Sequence, residues 1–187
     1  MNMKKMIFAT SAAAVLALTS FTASAQMKDP TVGGAAMYPT KNIIQNAVNS
    51  PIHTTLVAAV KAAGLVDTLS SAGPFTVFAP TNDAFAKLPA GTVDTLLKPE
   101  NKATLTKILT YHVVAGKISS KRLARMIKKG GGKATLKTVS GGTLTAMMSG
   151  SSITLTDEKG GTSTITTADV FQSNGVIHVI DTVLMPS

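Results

Sequence analysis

The sequence predicts an α+β domain in which short helices come first and hairpin-linked strands second. Up to Gly132, apolar residues recur at helical spacing between proline and glycine stops. From Ala134 to Leu184, threonine alternates with aliphatic residues. Gly141-Gly142, Ser149-Gly150, Gly160-Gly161 and Asn174-Gly175 supply turns there at roughly ten-residue intervals.

The first 25 residues are expected to be a secretory signal peptide. Lys4 and Lys5 precede an apolar run from Ile7 to Leu18, and Ala23-Ser24-Ala25 gives a small-residue cleavage site before Gln26. That run is too short to span the ~30 Å of a bilayer core. Residues 26–38 carry Pro30 and Gly33-Gly34 without a periodic apolar pattern and are expected as a flexible leader. Residues 39–187 then form one domain.

Thr40 is expected to cap a short helix with Ile43, Ile44, Ala47 and Val48 on one face. Ser50-Pro51 should start a second helix that Gly64 stops, and Leu65 to Leu69 a third, short one. Phe75 to Ala79 reads as a strand, with Phe75, Val77 and Ala79 on one side and Phe78 on the other. Pro80 ends it, and Thr81 caps the helix that buries Phe85. Thr92 to Lys98 and Pro99 to Leu109 read as helices, and Tyr111 to Val114 as a strand. Ser119 or Ser120 should cap a basic helix ending at Gly130.

In the strand-rich half, Val176, Ile177, Val179 and Ile180 form a run apolar enough for burial on both faces. The Asn174-Gly175 turn is expected to need a positive φ at Gly175. Met147 and Met148 read as core filling. His112 and His178 are expected in apolar strands as core histidines with hydrogen-bonded rings.

Composition narrows the chemistry. The 187 residues contain no cysteine, which excludes disulfides, thiolate metal sites and a cysteine-linked lipid anchor. Eighteen Lys and Arg face nine Asp and Glu, a net charge of +9 that favours anionic partners such as acidic polysaccharide or lipopolysaccharide phosphate. Eight of these cations, Lys117, Lys121, Arg122, Arg125, Lys128, Lys129, Lys133 and Lys137, follow one another with no acid between them. Lys121, Arg125, Lys128 and Lys129 share one side of the predicted helix, and Leu123, Met126 and Ile127 turn toward the core.

Catalytic patterns are missing. There is no hydrolase elbow, no phosphate loop and no dinucleotide spacing. Asp157-Glu158-Lys159-Gly160-Gly161 reads as a hairpin turn, because it lacks the alternating oxygen ligands of a calcium loop. His53, His112 and His178 do not share an i, i+4 spacing, so no metal is expected. The chain is expected to act without a cofactor and not as an enzyme. Six Phe and two Tyr leave little for base stacking, so nucleic acid is not an expected partner.

Three blocks stand together: Gly73-Pro-Phe-Thr-Val-Phe-Ala-Pro-Thr-Asn-Asp-Ala-Phe85, then Tyr111-His-Val-Val114, then Ser173-Asn-Gly-Val-Ile-His-Val-Ile-Asp-Thr-Val-Leu184. In order and spacing they resemble the signature blocks of the fasciclin domain, over essentially Tyr38 to Ser187. The resemblance implies a β-wedge of antiparallel strands flanked by a cluster of short helices. It also implies a secreted, non-enzymatic adhesion or recognition module, periplasmic or extracellular, at a cell surface, matrix or biofilm. In adhesive animal members an Asp-Ile pair before the last block, and the Tyr-His motif, are proposed integrin contacts. The matching positions are Asp169-Val170 and Tyr111-His112, although Thr167-Ala168 stands where those proteins carry Glu-Pro. An alternative reading is an extracytoplasmic carrier of a small hydrophobic or anionic ligand such as haem, seated between helices and wedge.

Overall fold

Side chains cap the starts of α1, α2, α4 and α7, one of them from a distant part of the sequence. The computed structural model describes residues 29–187, so the expected signal peptide and the start of the leader lie outside the described residues. The remainder of the expected leader is a small hairpin. Its strands β1 (Thr31–Val32) and β2 (Ala35–Ala36) pair across Gly33-Gly34, and Val32 and Met37 are buried in the core. Two apolar side chains are too few to show a period, and the segment is also tied to α1 by hydrogen bonds between the Tyr38 backbone and the Asn46 side chain.

Helix α1 (Ile43–Ala47) is capped by Asn42, not Thr40. The Asn42 side chain accepts from the Gln45 N–H, and the Gln45 side chain accepts from that of Asn42, a reciprocal capping box. Helix α2 (Thr54–Ala63) starts later than Ser50-Pro51 suggests and ends on Gly64, at φ 73°. Its cap comes from elsewhere: Asn82 Oδ1 accepts from the Thr55 N–H at 3.0 Å and from the Thr54 hydroxyl at 3.2 Å. Helix α3 (Val66–Ser70) and strand β3 (Phe75–Pro80) follow, and then α4 (Asn82–Ala86), capped by Thr81 as expected.

Helix α5 (Thr92–Leu96) and a 3-10 turn over Pro99–Asn101 lead into α6 (Lys102–Tyr111). Tyr111 therefore closes a helix instead of opening a strand, and His112 is its C-cap. Strand β4 is confined to Val113–Ala115. The basic helix α7 (Ser120–Lys129) is capped by Ser119. Strands β5 (Lys133–Lys137), β6 (Thr143–Ser149), β7 (Ser152–Thr156), β8 (Thr162–Gln172) and β9 (Gly175–Ile180) complete the chain; turns fall near the expected glycines, but the last is Ser173-Asn174, and Gly175 opens β9.

The seven-stranded sheet runs β4-β3-β9-β8-β7-β6-β5. It is antiparallel except between its second and third strands, where β3 and β9 pair in parallel from Phe75–Gly175 to Pro80–Ile180. The expected wholly antiparallel wedge is thus a mixed one. A bridge between Val114 and Thr138 brings the two ends of the sheet together, which partly closes it.

β3 and β9 are covered on both faces. Val77, Ala79, Ile177 and Val179 meet the helices, whereas Phe78 and Ile180 face the wedge interior with Leu123, Ile127, Leu144 and Leu155. Met147 and Met148 are not core residues: they are 38% and 44% exposed. Met148 has the periodicity of buried Leu144 and Ala146 and pairs with buried Ile153, yet it is itself exposed beside the β6–β7 turn.

Gly175 is constrained by proximity and not by a positive φ. A Cβ there would lie 2.1 Å from the Phe75 carbonyl oxygen of the neighbouring strand. Asn174 beside it ties three elements together. Its side-chain N–H groups donate to the carbonyls of Leu69 and Ser71, each at 2.8 Å, and its Oδ1 accepts from Ile43 N–H at 3.0 Å. Gly175→Ala is expected to destabilise by about 1–3 kcal/mol through overpacking, read as a lower Tm in thermal melts.

Two buried histidines bridge distant segments as neutral rings. His112 Nδ1 donates to the Ile108 carbonyl at 2.9 Å and Nε2 accepts from Leu184 N–H at 3.0 Å. His178 Nε2 donates to the Ile118 carbonyl at 2.8 Å and Nδ1 accepts from Asp169 N–H at 3.2 Å. Burial lowers both pKa values, that of His112 to about 4. The unfolded chain takes up protons near pH 6.5, while the folded protein refuses that of His112 until about pH 4. Stability is expected to be fully present above pH 6.5 and to fall toward pH 4, as measured by urea denaturation midpoints across that range.

Candidate functional site

At about 100° per residue, Lys121, Arg122, Arg125, Lys128 and Lys129 fall on one side of α7. Leu123 and Ile127, both buried, fall on the other. All five cations are exposed, and so are Lys117, Lys133 and Lys137. Arg122 and Arg125 direct their guanidinium groups to backbone carbonyls of Lys117 and Lys121, at 3.5 and 3.3 Å. Among the described residues the one ion pair within 4.0 Å joins Lys98 to Glu100, so no acid pairs with these cations.

The eight cations do not share one surface. Along β5 exposure alternates, with Ala134 and Leu136 turned inward to the same cluster as Leu123 and Ile127. Lys133 and Lys137 therefore leave the sheet on the side that α7 does not cover. On an edge strand such lysines also discourage pairing with other chains. Lys117, ahead of α7, lies with its Nζ 5.1 Å from the centre of the half-exposed Phe171 ring, a cation–π contact.

The start of α7 is fixed by three strands. Thr76 on β3 donates its hydroxyl to the Gly116 carbonyl at 2.6 Å and accepts from Ile118 N–H at 2.9 Å. His178 on β9 holds the Ile118 carbonyl. Asp169 on β8 sits in an irregular stretch of the strand with φ 60°, and its carboxylate accepts from the Ser120 N–H at 2.7 Å and from the Ser120 hydroxyl. An anion at this end of the helix also meets the positive end of its dipole. The helix itself offers no acid in its first turn.

This arrangement places the four residues singled out by resemblance. Tyr111, His112 and Val170 are buried and present no surface to a partner. The Tyr111 hydroxyl donates to the Thr143 carbonyl at 2.6 Å and accepts from Glu158 N–H at 3.2 Å, and burial pushes its pKa up to about 12. Asp169 is partly exposed, with both oxygens committed to Ser120. The Asp157–Gly161 turn is held by Asp157, whose Oδ1 accepts from the N–H groups of Lys159 and Gly161 at 3.0 and 2.7 Å. Among the described residues, no three acids or histidines gather as a metal-ligand set.

The model of the fasciclin domain matches residues 51–186. Protein sll1483 of Synechocystis is 49% identical over 159 residues, which is 85% of this chain and 81% of that protein. Cell surface glycolipoprotein MPB83 of Mycobacterium bovis is 39% identical over 160 residues, 83% of this chain and 64% of that protein. The solved FAS1 domain pair from the insect cell adhesion molecule fasciclin I superposes with a TM-score of 0.70 at 19% identity. That superposition covers 79% of this chain and 51% of the pair, and it bears on the fold.

Asp169→Gly removes the carboxylate cap and leaves the backbone free to keep its positive φ. It is expected to cost about 1 kcal/mol, the usual value of a helix cap, and to speed amide exchange over Ser120 to Leu123. Unchanged exchange there would mean that Asp169 does not hold α7.

Proposed function

Because the chain belongs to the fasciclin domain family, we propose that it is a non-enzymatic adhesion module whose α7 face attaches to an anionic component of a cell surface, matrix or biofilm. The observation that carries this reading is the set of five exposed cations on one side of α7 without an acid paired to any of them. Like charges this close repel one another and raise the local potential, and an acidic polysaccharide or lipopolysaccharide phosphate would relieve both. Lys117, Lys133 and Lys137 extend the field around that face.

The site of action is outside the cytoplasm, periplasmic or extracellular, with residues 1–25 acting as the export signal. The words "cell surface" and "cell adhesion" in the names of the two similar proteins fit that placement. Among the described residues no helix is long and apolar enough to cross a membrane. Haem is a poor fit as cargo: the void between the helices and the sheet measures about 40 Å³, whereas even benzene needs about 150 Å³.

Replacing Lys121, Arg125, Lys128 and Lys129 by Gln removes four charges at nearly constant helix propensity and leaves Leu123 and Ile127 untouched. The parent is expected to bind heparin and lipopolysaccharide with an affinity that falls steeply as salt rises, through release of condensed counterions. The quadruple variant should keep its Tm and lose most of that binding and its salt dependence. Equal binding by the variant at low salt would show that this face is merely solvated.

A further inference from the structure

Among the described residues two buried side-chain atoms, Thr156 Oγ1 and His53 Nε2, lack a hydrogen-bond partner, and only the second lines a void. His53 precedes α2, and its Nδ1 lies 2.8 Å from the Ser50 hydroxyl. Its Nε2 makes no hydrogen bond among the described residues. Ser50 Oγ has no other partner there, so its proton goes to Nδ1, and Nε2 is left as an N–H donor. The Ala79 carbonyl pulls on the ring without reaching hydrogen-bond geometry, and burial, the larger effect, lowers the pKa. The ring is therefore neutral, buried and short of one acceptor.

His53 lines the void of about 40 Å³ between the helix layer and the sheet. Buried Leu56, Val77 and Ile177 form its floor, and half-buried Ile44, Val57 and Val66, from α1, α2 and α3, form a rim toward solvent. His112 also lines it, but both of its ring nitrogens are engaged. A water held there wants two to four polar partners, and the wall has one free donor. The one charged residue of the lining, Lys61, is exposed, whereas His53 is buried and neutral, so a carboxylate accepting from Nε2 would be desolvated beside an uncharged ring.

We propose that this void is a binding site for a small, uncharged, largely aliphatic molecule with one oxygen acceptor, of the ketone, ester or alcohol class. The oxygen accepts the His53 Nε2–H. A head of two or three heavy atoms fills the void, which exceeds the ~10–15 Å³ that one water requires. The aliphatic body lies along the rim between Ile44, Val57 and Val66. This site is separate from α7 and does not depend on the adhesive reading.

The test is titration of the ¹⁵N-labelled protein with 2-hexanone, with n-hexane as the apolar control. Saturable shifts are expected at the amides of Ile44, Val57 and Val66 and at His53 Nε2. His53→Leu should weaken 2-hexanone binding by at least about fivefold, the scale of one hydrogen bond, and Val57→Phe should close the rim and abolish it. Three results would overturn the proposal: no saturable shift, n-hexane binding as tightly as 2-hexanone, or an unchanged Kd in His53→Leu. If His53→Leu does not fold, Val57→Phe, which leaves the floor intact, decides together with the n-hexane comparison.

Discussion

The structure depends on the parallel pairing of β3 with β9. These two strands lie side by side inside the sheet, far apart in sequence, and each carries side chains into both cores. Their register places Gly175 against Phe75, where a Cβ would strike the Phe75 carbonyl. Asn174 then couples that register to the helix layer through Ile43, Leu69 and Ser71. A slip by one residue would exchange Val77 and Ala79 with Phe78 between two cores of different shape. The Phe75–Phe85 and Ser173–Leu184 blocks are consequently the parts of the chain with least freedom.

The second constraint is how a cationic helix is kept on this framework. α7 repels itself on its outer side, and what holds it is the burial of Leu123 and Ile127 together with polar contacts at its first turn. Those contacts converge from β3, β8 and β9, so the basic face is positioned by three neighbouring strands inside the sheet. His178 takes part in this as a neutral donor and acceptor, stacked 5.7 Å from Phe78. Protonating it would turn its Nδ1 from acceptor to donor, opposite the Asp169 N–H. The same chemistry at His112 joins the end of α6 to Leu184.

Much of this was legible in the sequence because it is local. Thr81, Ser119 and Gly64 act within one turn of themselves, and the alternation of Phe75, Val77 and Ala79 against Phe78 follows from the pleat. What was not legible is tertiary. Asn82 caps a helix 27 residues away in the chain, and Asn174 bonds to Leu69, 105 residues away. Period alone places Met148 with Leu144 and Ala146 and cannot show where the core ends. The cations of α7 could be assigned to one side from their spacing, but the separation of Lys133 and Lys137 depends on which face of β5 the helix covers. The free Nε2 of His53 has no sequence signal, since it is defined by partners that are not there.

Native-state hydrogen exchange tests the central role of the β3–β9 pair most directly. The amides of Val77, Phe78, Ile177 and Val179 are expected to exchange only through global unfolding, with opening free energies equal to the denaturant-derived stability. Those of β5–β7 and α7 should open at lower free energy. If β6 and β7 are instead the last to exchange, and β3 and β9 open before them, the parallel pair is not the interaction on which the rest of the fold depends.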